Sequence, residues 1–359
     1  MFETARVPPA VTAPFVHTIT HPDLWLWDVW TCRDEATIHL YCLALAKMDG
    51  ETLIAPAQRN SYRFHIRHFT SQDEGQRWFD RGPYMQPGED PSSGIWSGSA
   101  LPWDDHLLMA YTEVRQPEAT RPFVQSILVQ PSHSYEHCGS AATVRLSDPE
   151  RDYDSIRKQG YFLPERGLLG HRDGERGGPI LAWRDPFLFA TRGSLHAIWS
   201  AKIAPQTPAL ALMSLNYGNH GELEGELLPP IELPDADEYT QAELPKCWFD
   251  EHRRSYFLLV SACNRRHERQ GDSEVNKETR LYRSESLAGP WRPWSTAGSV
   301  LSMPAHAFGC SPFQWSPDGS LIHLAAPLTD CAPQDQSLSI IGRTQVDISI
   351  DTVMEKQAG

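Results

Sequence analysis

The 359-residue chain has a formal net charge of −14, which argues against nucleic acid or an anionic membrane as its partner. It contains no apolar run near the roughly 18 residues that a membrane-spanning helix needs. Its 24 Gly and 29 Pro are spread along the chain, which favours many short strands and turns.

The N-terminus and the cysteines bear on location and redox state. Residues 1–22 lack a basic stretch followed by an apolar stretch, so no ordinary signal peptide is visible. The seven cysteines are scattered and form no CxxC pair, which argues against a zinc site, and no EF-hand-like ligand run is present. We therefore expect a cytoplasmic protein, with leaderless secretion left open, that has reduced cysteines and holds neither metal nor cofactor.

In chain order, residues 1–22 are predicted to form an N-terminal arm, either mobile or supplying a closing strand. One segment type then occurs five times: a short apolar or aromatic run, a polar turn and a β-type run. The copies are Trp27–Tyr41, Trp96–Ala110, Arg184–Ile198, Glu243–Val260 and Ser311–Leu324. Four copies keep a spacing of 10 residues, as from Asp28 to Ile38, whereas the Glu243 copy needs 14, which leaves its register open.

The segments between the copies are predicted to be strands and loops. Long polar loops are expected near residues 148–174 and 264–272, and one short helix over Gln72–Phe79. Strands are expected over Thr279–Ser284 and within 337–352, where they would complete the last blade or close the ring. Because each repeat must bury its apolar face against its neighbours, the pattern predicts an all-β, five-bladed β-propeller. Residues 23–359 would form this single domain, with the functional pocket on its central axis.

Three carboxylates occupy comparable places in the repeat and would face this shared centre. Asp28 lies among three tryptophans, where a carboxylate is costly unless it is hydrogen-bonded or used. Asp185 follows Arg184, and Glu243 precedes Pro245. Taken alone, each has a structural alternative. Asp28 would be a turn or edge aspartate, Asp185 would pair with Arg184 at a strand end, and Glu243 would be a loop glutamate. Together they fit glycoside cleavage, in which one carboxyl group attacks or directs water and another protonates the leaving oxygen.

The second copy contributes Trp96-Ser97-Gly98-Ser99, which places hydroxyls and a flat aromatic ring at the equivalent point. Its structural alternative is an ordinary glycine turn beside a core tryptophan. The segment is not a phosphate-binding loop, because the glycine pattern and the lysine of such loops are missing.

At these residues the chain resembles glycoside hydrolase family 68, the levansucrases and inulosucrases. That family shares a five-bladed propeller with the invertase and arabinanase families. The resemblance is carried by Trp27-Asp28-Val29-Trp30, Trp96-Ser97-Gly98-Ser99-Ala100, Arg184-Asp185-Pro186, Glu243-Leu244-Pro245 and Ser284-Glu285-Ser286-Leu287-Ala288-Gly289-Pro290-Trp291. These motifs keep the family's order from about residue 23 to 325.

The resemblance implies a role for each matching residue. Asp28 would be the nucleophile that attacks the anomeric carbon of a fructosyl unit, and Glu243 the acid/base that protonates the leaving group. Asp185 would stabilise the oxocarbenium-like transition state. The substrate-binding residues would be Trp27, Trp96, Ser97, Arg184, Gln241 and Asn264, with Ser97 bonded to Asp28. The partner would be a small carbohydrate such as sucrose or a fructooligosaccharide.

Two departures from the family pattern lie on the leaving-group side. Gln241 stands where the family commonly has a Glu, and Ser261-Ala262-Cys263-Asn264 replaces a stretch with Arg or His, for which Asn264 or Arg265 would substitute. We therefore expect a retaining β-fructofuranosidase or fructosyltransferase that favours hydrolysis over polymer synthesis. A propeller hydrolase for another furanoside, such as an arabinofuranoside, and a non-catalytic sugar-binding propeller are the alternatives.

Overall fold

A computed structural model describes residues 2–116, 123–139, 141–170, 181–218, 222–267 and 270–349. These residues form a nearly all-β structure, in which five antiparallel sheets are arranged as the blades of a propeller. The predicted fold class is therefore confirmed. No helix among the residues described is long and apolar enough to cross a bilayer.

The first blade takes all five of its strands from the first 85 residues, and the N-terminal segment also supplies a strand to the last blade. The strands here are β1 (Phe15–Val16), β2 (Thr18–Ile19), β3 (Leu24–Asp34), β4 (Thr37–Ala46), β5 (Met48–Asp49), β6 (Thr52–Leu53), β7 (His65–Ser71) and β8 (Arg77–Met85). The blade has the order β1-β8-β7-β4-β3, and β5 and β6 form a small separate hairpin. The 3-10 helix Pro56–Ser61 precedes β7.

The next three blades each have four strands, innermost strand first in the chain. Blade two consists of β9 (Ser93–Trp103), β10 (His106–Arg115), β11 (Val124–Ser132) and β12 (Val144–Ser147). Blade three consists of β13 (Arg184–Thr191), β14 (Ser194–Ala204), β15 (Thr207–Tyr217) and β16 (Leu223–Leu227). Blade four consists of β17 (Gln241–Asp250), β18 (Ser255–Cys263), β19 (Lys277–Ser284) and β20 (Arg292–Pro293).

Blade five closes the ring between the two ends of the chain. It contains β21 (Ser311–Trp315), β22 (Leu321–Pro327) and β23 (Ile340–Asp347), and its fourth strand is β2 from the N-terminus. Residues 15–19 of the predicted N-terminal arm are thus paired with two blades, as expected for a closing strand. The boundary at residue 23 stays a prediction.

The repeat found in the sequence corresponds to the first two strands of each blade. In four blades the register is the same, counted from Asp28, Ser97, Asp185 or Glu243. The residue five positions further along pairs with the first residue of the next β-type run. These pairs are Arg33 with Ile38, Pro102 with Leu107, Ala190 with Leu195, and Trp248 with Phe257. The longer spacing of the fourth copy therefore enlarges the turn between β17 and β18 and leaves the register intact. Glu243 is equivalent to Asp28 and Asp185.

The predicted helix over Gln72–Phe79 is wrong, because this segment is a tight turn that leads into β8. Ser71 Oγ accepts a hydrogen bond from Gly75 N at 3.0 Å, and Asp73 Oδ1 accepts one from Arg77 N at 2.9 Å. Gly75 has a left-handed φ of 79°. Short polar side chains thus bind the backbone groups that a helix would pair internally.

The segment between blades two and three includes a helix that was predicted only as loop. Helix α1 (Tyr153–Lys158) has Tyr153 and Ile156 buried, and a 3-10 helix follows at Arg166–Leu168. A third 3-10 helix, Asp272–Glu274, lies in the charged loop after β18. The end of the first predicted loop, residues 171–174, lies outside the described residues, as do residues 268–269 of the second.

Apolar side chains fill the wedges between neighbouring blades. The wedge between blades two and three, for example, contains Leu108 and Ile127 from one side and Trp199 from the other. The first and fifth blades share a similar core, with Phe69, Trp78 and Phe313. Each blade therefore buries both of its faces only when the ring is complete, which fixes the inner ends of the five innermost strands around one axis.

Candidate active site

The innermost strands bend at the positions that carry the carboxylates. The strand pairing shifts register between Trp27 and Val29, between Arg184 and Phe187, and between Glu243 and Lys246. Asp28, Asp185 and Leu244 have left-handed φ values of 45°, 62° and 52°. Such conformations cost free energy in non-glycine residues and recur at functional sites, where a bulge redirects a side chain.

Gly98 creates the matching bend in the second blade. A Cβ at this position would lie 1.9 Å from Ala110 O, so only glycine allows the two strands to approach. The register shifts here as well, and Ser97 is the residue left out of the pairing. The segment predicted as a possible glycine turn is therefore a strand bulge that directs the Ser97 hydroxyl to the axis.

Hydrogen bonds between adjacent blades connect the inner ends into a ring. Blade two reaches blade one through Ser97 and Asp28, and it reaches blade three through Thr112 Oγ1, which accepts from Asp185 N at 2.8 Å. Blade three reaches blade four through Arg184 and Glu243. Blade four reaches the segment before blade five through Ser261 Oγ, which accepts from Gly309 N at 3.0 Å. Blade five reaches blade one through Ser311 Oγ, which lies 2.9 Å from Thr31 Oγ1. The site is thus held by the closure of the propeller itself.

Asp28 is half-buried and accepts a hydrogen bond from Ser97 Oγ. Burial raises the pKa of its carboxyl group, the hydrogen bond from Ser97 lowers it, and the nearby charge of Glu243 raises it. The serine therefore favours the ionised form that a nucleophile needs.

Asp185 is the most buried of the three carboxylates, with 5% of its surface exposed. Its Oδ2 accepts hydrogen bonds from Ser200 Oγ and Leu244 N, both at 3.3 Å, and lies 3.7 Å from Arg184 Nε. Burial raises the pKa of Asp185 to about 7, against the lowering effect of Arg184. Ionised Asp185 is thus a poorly solvated anion, suited to stabilise positive charge that develops in a ligand.

Glu243 receives a charge-assisted hydrogen bond from Arg184 Nη2 on its Oε1. The Cys263 thiol lies beside its other oxygen, at 3.9 Å from Oε2. Since the side chain is 14% exposed, it can exchange protons with a ligand or with water. Arg184 thereby contacts both acidic residues of blades three and four and fixes their relative position.

The three carboxylates line one cavity of about 420 Å³ at the axis. Of the other sequence-predicted residues, Trp27, Trp96, Ser97 and Arg184 line it as well. Phe64, whose ring lies 4.6 Å from that of Trp27 and 6.5 Å from that of Trp96, completes an aromatic wall. The volume falls within the range of small-molecule sites, and the polar floor beside flat aromatic rings suits a sugar.

Gln241 and Asn264 do not line this cavity. Gln241 is fully buried, and its Nε2 donates to Arg265 O at 3.3 Å. Asn264 Oδ1 accepts a hydrogen bond from Asn276 N at 2.9 Å. Arg265 does line the cavity, on the side of Glu243. Of the two alternatives for the leaving-group side, Asn264 and Arg265, the fold therefore brings Arg265 to the cavity wall. A binding role for Gln241 and Asn264 stays a prediction.

Several lining residues were not predicted from the sequence. Arg59 lies over the Trp27 ring at 5.9 Å and forms an ion pair with Asp330 at 3.2 Å. Lys277 lies 5.5 Å from the Phe308 ring. The only sequence signal for Arg59 is its place in the Pro56–Ser61 segment, just before a strand of the first blade. Among the residues described, no group of three or more His, Cys, Asp or Glu is placed to hold a metal ion.

A comparison with protein families gives one match. Residues 54–157, less than a third of the chain, match the family model described as glycosyl hydrolases family 32 N-terminal domain. Among proteins with curated functions, none matches this chain in sequence.

Solved structures of sucrose-related enzymes share the fold. An inulosucrase from Halalkalicoccus jeotgali bound to kestose is 19% identical with a TM-score of 0.65, over 96% of this chain and 92% of that one. A Bacillus subtilis levansucrase variant in complex with oligosaccharides is 12% identical with a TM-score of 0.60, over 91% and 84%. A family 32 β-fructofuranosidase from Bombyx mori is 14% identical with a TM-score of 0.59, over 91% of this chain and 61% of that one. A variant of the Bombyx mori enzyme is also solved in complex with sucrose.

These comparisons confirm the resemblance inferred from the motifs. The five-bladed propeller of this chain is the fold of levansucrases, inulosucrases and β-fructofuranosidases. The motifs resemble family 68, whereas the family model that matches is that of family 32.

Proposed function

We propose that this protein is a glycoside hydrolase or fructosyltransferase that acts on β-fructofuranosides such as sucrose. The observation that carries the proposal is the convergence of Asp28, Asp185 and Glu243 in one aromatic-walled cavity. Each carboxylate has a different environment, and such differences let neighbouring carboxyl groups take different roles. The enzymes that share the fold support sucrose and fructooligosaccharides as the substrate class.

In the proposed first step, an Asp28 oxygen attacks the anomeric carbon of the fructosyl unit. The bond from that carbon to the leaving oxygen breaks, and Glu243 gives its proton to the leaving oxygen. Asp185 stabilises the positive charge that develops on the fructosyl ring. The product is a fructosyl ester of Asp28 and a free sugar.

In the second step, the Glu243 carboxylate takes a proton from water as the water oxygen attacks the anomeric carbon. The ester bond to Asp28 breaks, and fructose leaves with retained configuration. A sugar hydroxyl in place of water would give fructosyl transfer. We expect hydrolysis to be favoured, because on the acceptor side Gln241 Nε2 donates to Arg265 O and Asn264 Oδ1 accepts from Asn276 N, and neither residue lines the cavity.

The test is to incubate the protein with sucrose and to measure free glucose and free fructose separately. Asp28→Asn should abolish release of both, whereas Asp105→Asn, on an exposed turn, should leave it unchanged. Equal release means hydrolysis, and excess glucose means transfer. Cleavage of an aryl α-arabinofuranoside but not of an aryl β-fructofuranoside would show that the substrate is an arabinofuranoside and not a fructofuranoside. Sugar binding without product, surviving Asp28→Asn, would support a non-catalytic protein.

A further inference from the structure

Lys246 is a buried cation that the proposed reaction does not use. It lies on β17 three residues after Glu243, and only 1% of its surface is exposed. Its Nζ donates to Leu244 O at 3.2 Å and lies 5.5 Å from the Phe187 ring. One carbonyl group and one ring face are weak compensation for a dehydrated ammonium group, so neighbouring anions must supply the rest.

Lys246 contacts the short segment that presents Glu243. Leu244, which follows Glu243 and has a left-handed φ, donates its N–H to Asp185 Oδ2 at 3.3 Å, while its carbonyl accepts from Lys246. Both backbone polar groups of Leu244 are thus held by charged side chains. The arrangement couples the bulge that carries Glu243 to Asp185.

Asp185 on β13 and Asp28 on β3 are the carboxylates whose charges act on Lys246, and Asp185 is linked to it through the two backbone polar groups of Leu244. Burial lowers the pKa of Lys246 to about 8, while Asp185, Asp28 and the neighbouring Cys310 act to raise it. Lys246 in turn lowers the pKa of Asp28. Arg59, which lines the cavity and is paired with Asp330, lowers the pKa of Asp28 more than Lys246 does.

The most deeply buried charges around the carboxylates balance in one protonation state; Arg59, Arg265 and Lys277 line the same cavity and are only half-buried. When Glu243 carries a proton, the two anions Asp28 and Asp185 face the two buried cations Arg184 and Lys246. Arg184 already contacts Glu243 and Asp185, which leaves Asp28 with the Ser97 hydroxyl as its direct partner. Lys246 is therefore the second buried cation that can offset these two anions.

We propose that Lys246 is a positioning residue, a buried counter-ion that keeps Asp28 and Asp185 ionised while Glu243 holds the catalytic proton. This inference rests on the proposed function for the meaning of those protonation states. The charge coupling itself is a property of the free protein, and it is tested without substrate.

The first experiment follows the ammonium signal of Lys246 by NMR of 15N-lysine-labelled protein as the pH is raised. The loss of its charge should move to lower pH in Asp28→Asn and in Asp185→Asn, because each change removes an anion that stabilises it, by about 1 unit or more. Lys202 is the matched control: it is also 1% exposed, and its Nζ donates to Pro205 O at 3.1 Å in blade three. Its signal should be the same in all three proteins. A Lys246 signal that titrates unchanged in both variants overturns the proposal.

The second experiment compares kcat/KM against pH for Lys246→Met, Lys246→Arg and Lys202→Met. Loss of the cation in Lys246→Met should move the acidic limb to higher pH by about 1 unit, a roughly tenfold loss of rate on that limb. Lys246→Arg should restore the limb, and Lys202→Met should leave it in place. A uniform loss with an unmoved limb indicates a merely structural lysine and overturns the proposal.

The two experiments separate this inference from the proposed function. If the wild type cleaves no furanoside, the proposed function fails, but the NMR titration still decides the coupling. If Lys246→Met does not fold, the titration decides as well, since both of its variants retain Lys246.

Discussion

Ser97 donates a hydrogen bond to the Asp28 carboxylate across the boundary between the first and second blades. The two residues are 69 positions apart in the chain, and each sits on the bulge of its innermost strand. The bond lowers the pKa of Asp28 in a site whose burial raises it. The strand bulges of two blades thus cooperate to keep one carboxylate ionised.

Ser97→Ala should therefore reduce kcat/KM for sucrose and move its acidic limb to higher pH. A hydrogen bond to a charged group contributes about 1.5 to 3 kcal/mol, so a loss of roughly tenfold to hundredfold is expected. Ser99→Ala is the control, because Ser99 Oγ accepts a hydrogen bond from the backbone of blade three, Leu188 N, at 2.9 Å. An acidic limb at its wild-type pH in Ser97→Ala would contradict this role.

Arg184→Met should lower kcat more than Arg184→Lys does. The guanidinium contacts both Glu243 and Asp185, and a lysine places one ammonium group where the arginine spans two partners. Removing one member of a buried ion pair costs about 3 to 5 kcal/mol, so lower stability is expected as well. Thermal unfolding and kcat should be measured together. Equal activity of the lysine and methionine variants would show that the two-partner geometry is unimportant.

The melting temperature of Asp185→Asn, relative to that of the wild type, should be higher at pH 8 than at pH 5. Burial raises the pKa of Asp185 to about 7 from an ordinary value of 3.8. Between these values the folded state binds more protons than the unfolded state, so this group's contribution to stability falls as the pH rises through that window. Asparagine removes the cost of the buried charge at high pH.

The measurement is thermal unfolding at both pH values, with Asp105→Asn as the exposed control. The variant should be inactive at both values, and its melting temperature relative to the wild type should be more favourable at pH 8 than at pH 5. A gain of equal size at pH 5 and pH 8 would mean that ionisation of Asp185 does not limit the stability of the wild type.

Gly98→Ala should destabilise the protein and displace Ser97. Its Cβ would lie 1.9 Å from Ala110 O, a backbone atom that moves only with its strand. A loss in the free energy of unfolding of about 3 kcal/mol is expected, at the upper end for overpacking. Gly88→Ala is the matched control, because a Cβ there meets nothing within 4 Å. Urea unfolding of both variants checks this, and equal stabilities would contradict the close approach.

The five repeats and the propeller could be predicted from the sequence, as could the comparable places of Asp28 and Asp185, whereas the register of the Glu243 copy stayed open. These features depend on local patterns, namely period-2 strands, turns and a fixed spacing from the bulge to the next strand. Even the irregular fourth copy keeps the pairing of Trp248 with Phe257. Local pattern failed at Gln72–Phe79, where the side chains of Ser71 and Asp73 bind the backbone and stop a helix.

Which side chains share the cavity depends on contacts between blades and could not be predicted from the sequence. Arg59 and Asp330 are 271 positions apart and meet because the ring closes the first blade against the fifth. Gln241 lies two residues before Glu243 on the same strand, yet its amide is buried against Arg265 O and does not line the cavity. In the sequence, Lys246 is an ordinary charged residue. In the fold it is buried, and the charges of carboxylates from two other blades act on it. Such roles arise from contacts between blades, and the repeat pattern along the chain does not predict them.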